Sequence, residues 1–132
     1  MSWQAYVDTS LVGSGHIDKA AIFDNQGTSV WATSAGFSVS PAEVKVIVDS
    51  FNPVSGDAIK EVQSGGFFVG GDKYVALRSD ESRLYGKKGK EGVVIVKTKK
   101  ALLIAHYPET VQPGAATNTV ETLGDYLIGL GY

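Results

Sequence analysis

The chain contains no cysteine, which removes disulfides, thiolate nucleophiles and cysteine-ligated zinc together. It has two histidines, His16 and His106, and neither stands with carboxylates at a metal-ligand spacing. His106 ends an apolar strand beside Tyr107-Pro108, a setting for a packed or surface histidine rather than a general base. Gly86-Lys87-Lys88-Gly89-Lys90-Glu91 lacks phosphate-loop spacing and precedes no apolar helix, so it reads as a hairpin turn. Gly13-Ser14-Gly15 lacks the third glycine of a dinucleotide fingerprint. Catalysis is therefore not expected, and neither a metal nor any other cofactor is implied. No apolar run approaches a membrane span, and no Asn-x-Ser/Thr acceptor occurs. Met1-Ser2-Trp3-Gln4 lacks the basic and apolar regions of a signal peptide. Together these absences predict a cytosolic protein.

What remains is an ordinary globular composition: 132 residues, 43% hydrophobic and 20% charged. That length predicts one domain over residues 1–132, able to bury roughly two-thirds of its unfolded surface. The net charge of −2 conceals a segregation. Residues 73–100 hold nine of the twelve basic residues against three acids, while the rest carries three lysines against eleven acids. Such a segment can bias one face toward an anionic partner, or it can be a set of solvated hairpin lysines.

The spacing of Trp3, Tyr6, Val7 and Leu11 predicts an opening helix ended by Gly13 and Gly15. His16 to Phe23 and Thr28 to Thr33 read as strands around the Asn25-Gln26-Gly27 turn. Ser40-Pro41-Ala42-Glu43 combines a cap, a first-turn proline and a capping box, so a helix begins there and breaks at Asn52-Pro53. Residues 54–63 allow a short second helix. Strands follow near 67–69, 73–79, 83–87, 92–98 and 101–106, joined by short polar turns that favour antiparallel neighbours. A final helix starts near Pro113, with Ala116, Val120, Leu123, Leu127 and Leu130 as its buried stripe. Helices segregated from runs of strands predict an α+β fold around a central antiparallel sheet.

Both tryptophans lie in the first 31 residues, and tyrosines mark the last stretch. Trp3 and Tyr6 share a face of the first helix, Tyr126 lies on the last, and Tyr132 is residue 132. If the two helices pack side by side, these rings either line a shallow groove or fill the helix–helix contact. Extended proline-rich segments dock between such rings, and tyrosine and tryptophan can donate hydrogen bonds to a ligand's bare carbonyls.

Met1-Ser2-Trp3-Gln4-Ala5-Tyr6-Val7-Asp8 resembles the profilin N-terminus. Ala20-Ala21-Ile22, Ser29-Val30-Trp31-Ala32, Gly71-Asp72-Lys73-Tyr74, Leu84-Tyr85-Gly86-Lys87, Glu91-Gly92-Val93-Val94, Ala105-His106-Tyr107-Pro108 and the stretch from Leu123 to Tyr132 continue the likeness in order. The pattern spans nearly the whole chain and is most similar to fungal profilins.

The resemblance implies a central antiparallel sheet with the N- and C-terminal helices on one face and shorter helices on the other. It implies a poly-proline groove at Trp3, Tyr6, Trp31, Tyr126, Leu127 and Tyr132. It also implies a face for monomeric actin at Lys73, Arg78, Tyr85, Lys87, Val111, Gly114, Thr117 and Glu121. Phosphoinositide headgroups at a membrane surface are expected on its basic side, at Arg78, Arg83, Lys87 and Lys88. The partners so implied are actin, proline-rich proteins such as formins, and phosphoinositide lipids, with a cytoplasmic, cytoskeleton-associated monomer as the bearer. Its expected role is to deliver actin monomers to filament barbed ends and to suppress nucleation. Ser82 stands where fungal profilins usually carry an arginine; Arg83 is its neighbour, and adjacent strand residues point to opposite faces. Val54 to Gly66 departs from the pattern and contributes no site residue. Many animal profilins have histidine at the place of Tyr126.

Two other classes fit parts of the sequence. Tyr85 among the lysines of residues 73–100 is compatible with a nucleic-acid or anionic-surface module, although the whole chain is acidic and carries no RNA-binding motif. A small sensory α+β domain would instead seal Trp3 and Trp31 inside a closed pocket.

Overall fold

The computed structural model describes residues 2–34, 36–51, 65–79 and 82–132. Seven strands form one antiparallel sheet: β1 (Lys19–Asp24), β2 (Val30–Thr33), β3 (Phe67–Val69), β4 (Asp72–Ser79), β5 (Arg83–Lys88), β6 (Glu91–Lys97) and β7 (Ala101–Tyr107). Their spatial order is β2-β1-β7-β6-β5-β4-β3. The architecture is α+β, as the segregation of helices and strands predicts. The short helix expected at 54–63 lies outside the described residues.

The opening helix, α1, changes pitch along its length. It is α-helical over Trp3–Ala5, widens to a π-helix over Tyr6–Leu11 and tightens to a 3-10 turn over Val12–Ser14. Ser2 caps its start by accepting from the Ala5 N–H at 3.1 Å. Gly15, at φ 81°, ends it in a conformation that other residues adopt at a cost. The following strand begins at Lys19 rather than His16, because its ladder with β7 starts at the Lys19–His106 pair. Ile17 is nevertheless buried, so its apolar character reflects packing and not strand membership.

Helix α2 (Pro41–Ser50) starts where its capping box dictates. The Ser40 hydroxyl accepts from the Glu43 N–H, and the Glu43 carboxylate accepts from the Ser40 N–H at 2.8 Å. The second Glu43 oxygen takes the Gly71 N–H at 2.7 Å, which ties this helix to the β3–β4 turn. Helix α3 (Pro113–Gly129) opens on proline at its first turn. It buries Ala116, Val120, Leu123, Gly124 and Leu127. Leu130, expected on that stripe, lies past the helix end and is 52% exposed. Gly124 lets α3 sit close on β6, since a Cβ there would stand 3.0 Å from Val96.

The period-2 alternation of the strands divides the apolar residues between two layers. Ala20, Ile22, Val94, Val96, Leu103 and Ala105 face α1 and α3. Ala21, Phe23, Val93, Ile95, Leu102 and Ile104 face the α2 side. Helices on both faces explain why β1, β6 and β7 read as nearly continuous apolar runs. Burial of each large side chain contributes about 1.5–3 kcal/mol relative to exposure. The sheet is wider than its helical cover. On the α1/α3 face, α1 lies against β1 and β2 while α3 lies against β6 and β7. Strands β4 and β3 therefore present that face to solvent, leaving Phe68, Val75 and Leu77 exposed.

Candidate functional site

Helix α1, strand β2 and the end of α3 bring the aromatic residues from both ends of the sequence together. The Trp3 ring lies 4.7 Å from Trp31, 5.7 Å from Tyr6 and 5.4 Å, edge-on, from Tyr132. Tyr6 meets Tyr126 at 6.3 Å. Tyr126 and Tyr132 are 52% and 42% exposed, and Trp3 and Trp31 are half-buried, so the cluster is an open surface and not a sealed pocket. Tyr6 is largely buried at its floor. Burial, followed by the neighbouring Tyr126, raises the Tyr6 phenol above its ordinary value, which keeps it a proton donor. Leu127 is named for this surface in the sequence, but its side chain is fully buried beneath the rings. It supports the groove and does not line it.

Tyr132 is held from below. Its main-chain oxygen accepts from the Thr98 hydroxyl at 2.7 Å and from the Lys100 N–H at 2.5 Å. Beyond Tyr6 and Tyr126 the groove continues between α1 and α3 as a hollow of about 490 Å³, lined also by Ser10, Asn118, Thr119, Thr122 and Leu123. A larger hollow of about 710 Å³ lies on the opposite face, between α2 and the β1–β2 hairpin. It contains none of the expected site residues, and its two charged lining residues, Lys45 and Asp49, pair with each other at 2.9 Å.

The bare half of the sheet gathers the second set. Tyr85 and Lys87 alternate on β5, and Lys87 stands opposite Val75 on β4. Lys73 is opposite Phe68 on β3. Arg78 is opposite Tyr85, with its guanidinium 5.7 Å above the ring. Glu121 on α3 accepts from both the Tyr85 hydroxyl and the Arg83 guanidinium. Arg83 therefore reaches the same side as Tyr85, from two residues earlier on the strand. Gly114, Thr117 and Glu121 share one face of α3 by their spacing, and Val111 packs, half-buried, just before that helix.

Lys88 does not join this face. The pleat turns it to the other side, where it pairs with Asp72 at 3.0 Å. That bond holds the Asp72 carboxyl below its usual range.

Phe68, Val75 and Leu77 were missed in the sequence. Their signal is an apolar residue set beside strand positions whose alternates, Phe67, Val69 and Tyr74, are buried. Also missed was the setting of His106. It is buried, with Nδ1 2.5 Å from Asp18 and Nε2 2.9 Å from Glu91. Among the described residues no group of three or more such side chains is arranged to hold a metal ion. No helix among them is long and apolar enough to cross a membrane.

An open aromatic groove and a separate basic and apolar sheet face mark this as a small α+β domain with two distinct exposed surfaces. The sequence matches the profilin family over residues 1–132, and the chain belongs to that family. It is 49% identical to profilin of Saccharomyces cerevisiae over 132 residues, covering all of both chains. The crystal structure of Acanthamoeba castellanii profilin II superposes with a TM-score of 0.91 at 50% identity, covering 99% of this chain and 100% of that one. Mouse profilin IIa, solved in complex with a double repeat from the FH1 domain of mDia1, shares the fold with a TM-score of 0.77 at 23% identity, covering all of both chains. The fungal resemblance and the fold it implies are thus established. Membership also makes this an actin-regulating protein of that family.

Proposed function

We propose that this chain is a stoichiometric adaptor that holds monomeric actin on the bare half of its sheet and a proline-rich segment in the aromatic groove at the same time. The observation that carries this reading is the position of α3. Tyr126 contributes to the groove, while Glu121, five residues earlier and about 140° around the helix, belongs to the sheet face. The helix body separates the two surfaces, so neither partner needs to leave when the other arrives.

The actin face comprises Lys73, Arg78, Tyr85, Lys87, Val111, Gly114, Thr117 and Glu121, with Phe68, Val75 and Leu77 adding exposed apolar area. Basic residues around an apolar patch suit a partner that is acidic at its rim. The groove comprises Trp3, Tyr6, Trp31, Tyr126 and Tyr132, and the mouse relative's FH1 complex is consistent with a formin as its source of prolines. Phosphoinositide headgroups would meet Arg78, Arg83 and Lys87. Capture of proline-rich assembly factors raises the local concentration of the carried monomer, favouring its delivery to barbed ends over free nucleation. The adaptor works as a cytoplasmic monomer and as one domain.

Immobilised polyproline tests the pair of sites together. The protein should be retained and should in turn retain monomeric actin, with both released by free polyproline. Actin that displaces the protein, or that flows through unbound, would overturn the two-surface reading.

A further inference from the structure

The row of rings does not end at Tyr132. The Lys100 ammonium lies 5.7 Å from the centroid of the Tyr132 ring, which itself meets Trp3 edge-on. Lys99 precedes it in the same β6–β7 turn, and both side chains are exposed. The turn is held at both ends of the groove wall. The Asn25 side-chain amide donates to the Lys99 carbonyl at 2.6 Å, the Asn25 N–H donates to the Lys100 carbonyl at 3.0 Å, and the Lys100 N–H donates to Tyr132. Neither ammonium has a carboxylate within ion-pair distance among the described residues. Of the nearby acids, Asp24 is already occupied by Thr28 and Ser29.

We infer that this turn is a cationic end-stop of the groove, and that the segments it prefers carry carboxylate side chains directly beside their prolines at that end. The inference rests on the proposal that the groove holds a proline-rich segment. A polyproline helix has no charge to place there, so Lys99 and Lys100 add nothing for prolines alone. A flanking Asp or Glu beside Tyr132 would sit within reach of the Lys100 ammonium, with the exposed Lys99 next to it in the turn. Exposed pairs of this kind are individually weak and salt-sensitive, so the turn selects among proline-rich segments and does not create binding by itself.

The test uses three peptides on the full chain: capped decaproline, and decaproline with two glutamates added at either end. Tryptophan fluorescence reads the affinities. One acidic peptide should bind about 2- to 10-fold more tightly than decaproline at low ionic strength, and the gain should vanish near ~0.5 M salt. In the double variant Lys99→Gln/Lys100→Gln, the ratio between that peptide and decaproline should fall to about one; the ratio is read because Lys100 also touches Tyr132. Equal affinities in the parent protein, or a ratio that survives the double variant, overturns the inference while leaving the groove intact. A groove that binds none of the three peptides overturns the groove assignment itself. If the variant leaves the peptide ratio unchanged but loses binding to vesicles containing phosphatidylinositol bisphosphate, the turn is a lipid site and the inference is wrong.

Discussion

The hydroxyl of Tyr85 on β5 donates to the carboxylate of Glu121 on α3, bridging the uncovered half of the sheet to the helix that covers its other half. Burial first, and this bond second, push the Tyr85 phenol up to about 12. In an unfolded chain the same group titrates near its usual value of about 10. Between those two values the folded state retains a proton that the unfolded state has lost, so stability falls as pH rises through that window. Glu121→Gln should lower the Tyr85 titration toward its ordinary value. Tyrosinate absorbance across an alkaline titration, compared with Tyr85→Phe to assign the signal, gives the measurement. An unchanged titration in Glu121→Gln would show that burial alone sets it.

In the proposed actin face Arg78 should bear the most weight, because its planar fork can bond a partner carboxylate through two donors in a way a lysine cannot. Arg78→Glu removes that contact and adds repulsion. The variant should retain its melting temperature and polyproline binding while losing most of its inhibition of spontaneous actin assembly. Undiminished inhibition by the folded variant would shift the face toward Lys87 and the Gly114–Glu121 segment.

Trp3 touches three of the other four rings of the groove. Removing such an anchor costs about 1.5–3 kcal/mol, or roughly 10- to 150-fold in affinity. Trp3→Ala should therefore come close to abolishing polyproline binding while holding actin within a few-fold. Thermal unfolding of the same preparation separates lost contact from lost docking of α1. Normal polyproline affinity in the folded variant would remove Trp3 from the site.

Ser40 and Glu43 make different contributions to stability, although they form one capping box. Ser40→Ala loses one cap bond, a change of about 1 kcal/mol. Glu43→Ala also frees the Gly71 N–H on the β3–β4 turn, so its cost should be larger, about 2 kcal/mol. Chemical denaturation of the two variants provides the ranking. A Glu43→Ala variant no less stable than Ser40→Ala would mean that the Gly71 bond adds nothing.

Local chemistry explains which parts of this fold could be read beforehand. Ser40-Pro41 and Glu43 act within one turn, so the start of α2 is a property of four consecutive residues. The strands alternate or run apolar according to how many faces are covered, and all seven appear near their expected places. The widening of α1 over Tyr6–Leu11 has no such signature in its own few residues. Burial of Leu127 follows the stripe of α3, whereas exposure of Leu130 depends on where that helix stops, which periodicity does not encode. Arg83 was ambiguous beside Ser82; sharing the phase of Tyr85 on β5 settles the side it occupies. The clustering of Asp18, Glu91 and His106 required the β1–β7–β6 pairing, which no short window contains.

The groove joins residues 3, 6 and 31 to residues 126 and 132. The ring row is therefore complete only when α1 and α3 have both docked on the sheet, however early the sheet begins to form. A ligand bound across those rings clamps both helices to the sheet at once, so it should raise the melting temperature of the whole sheet rather than that of one helix.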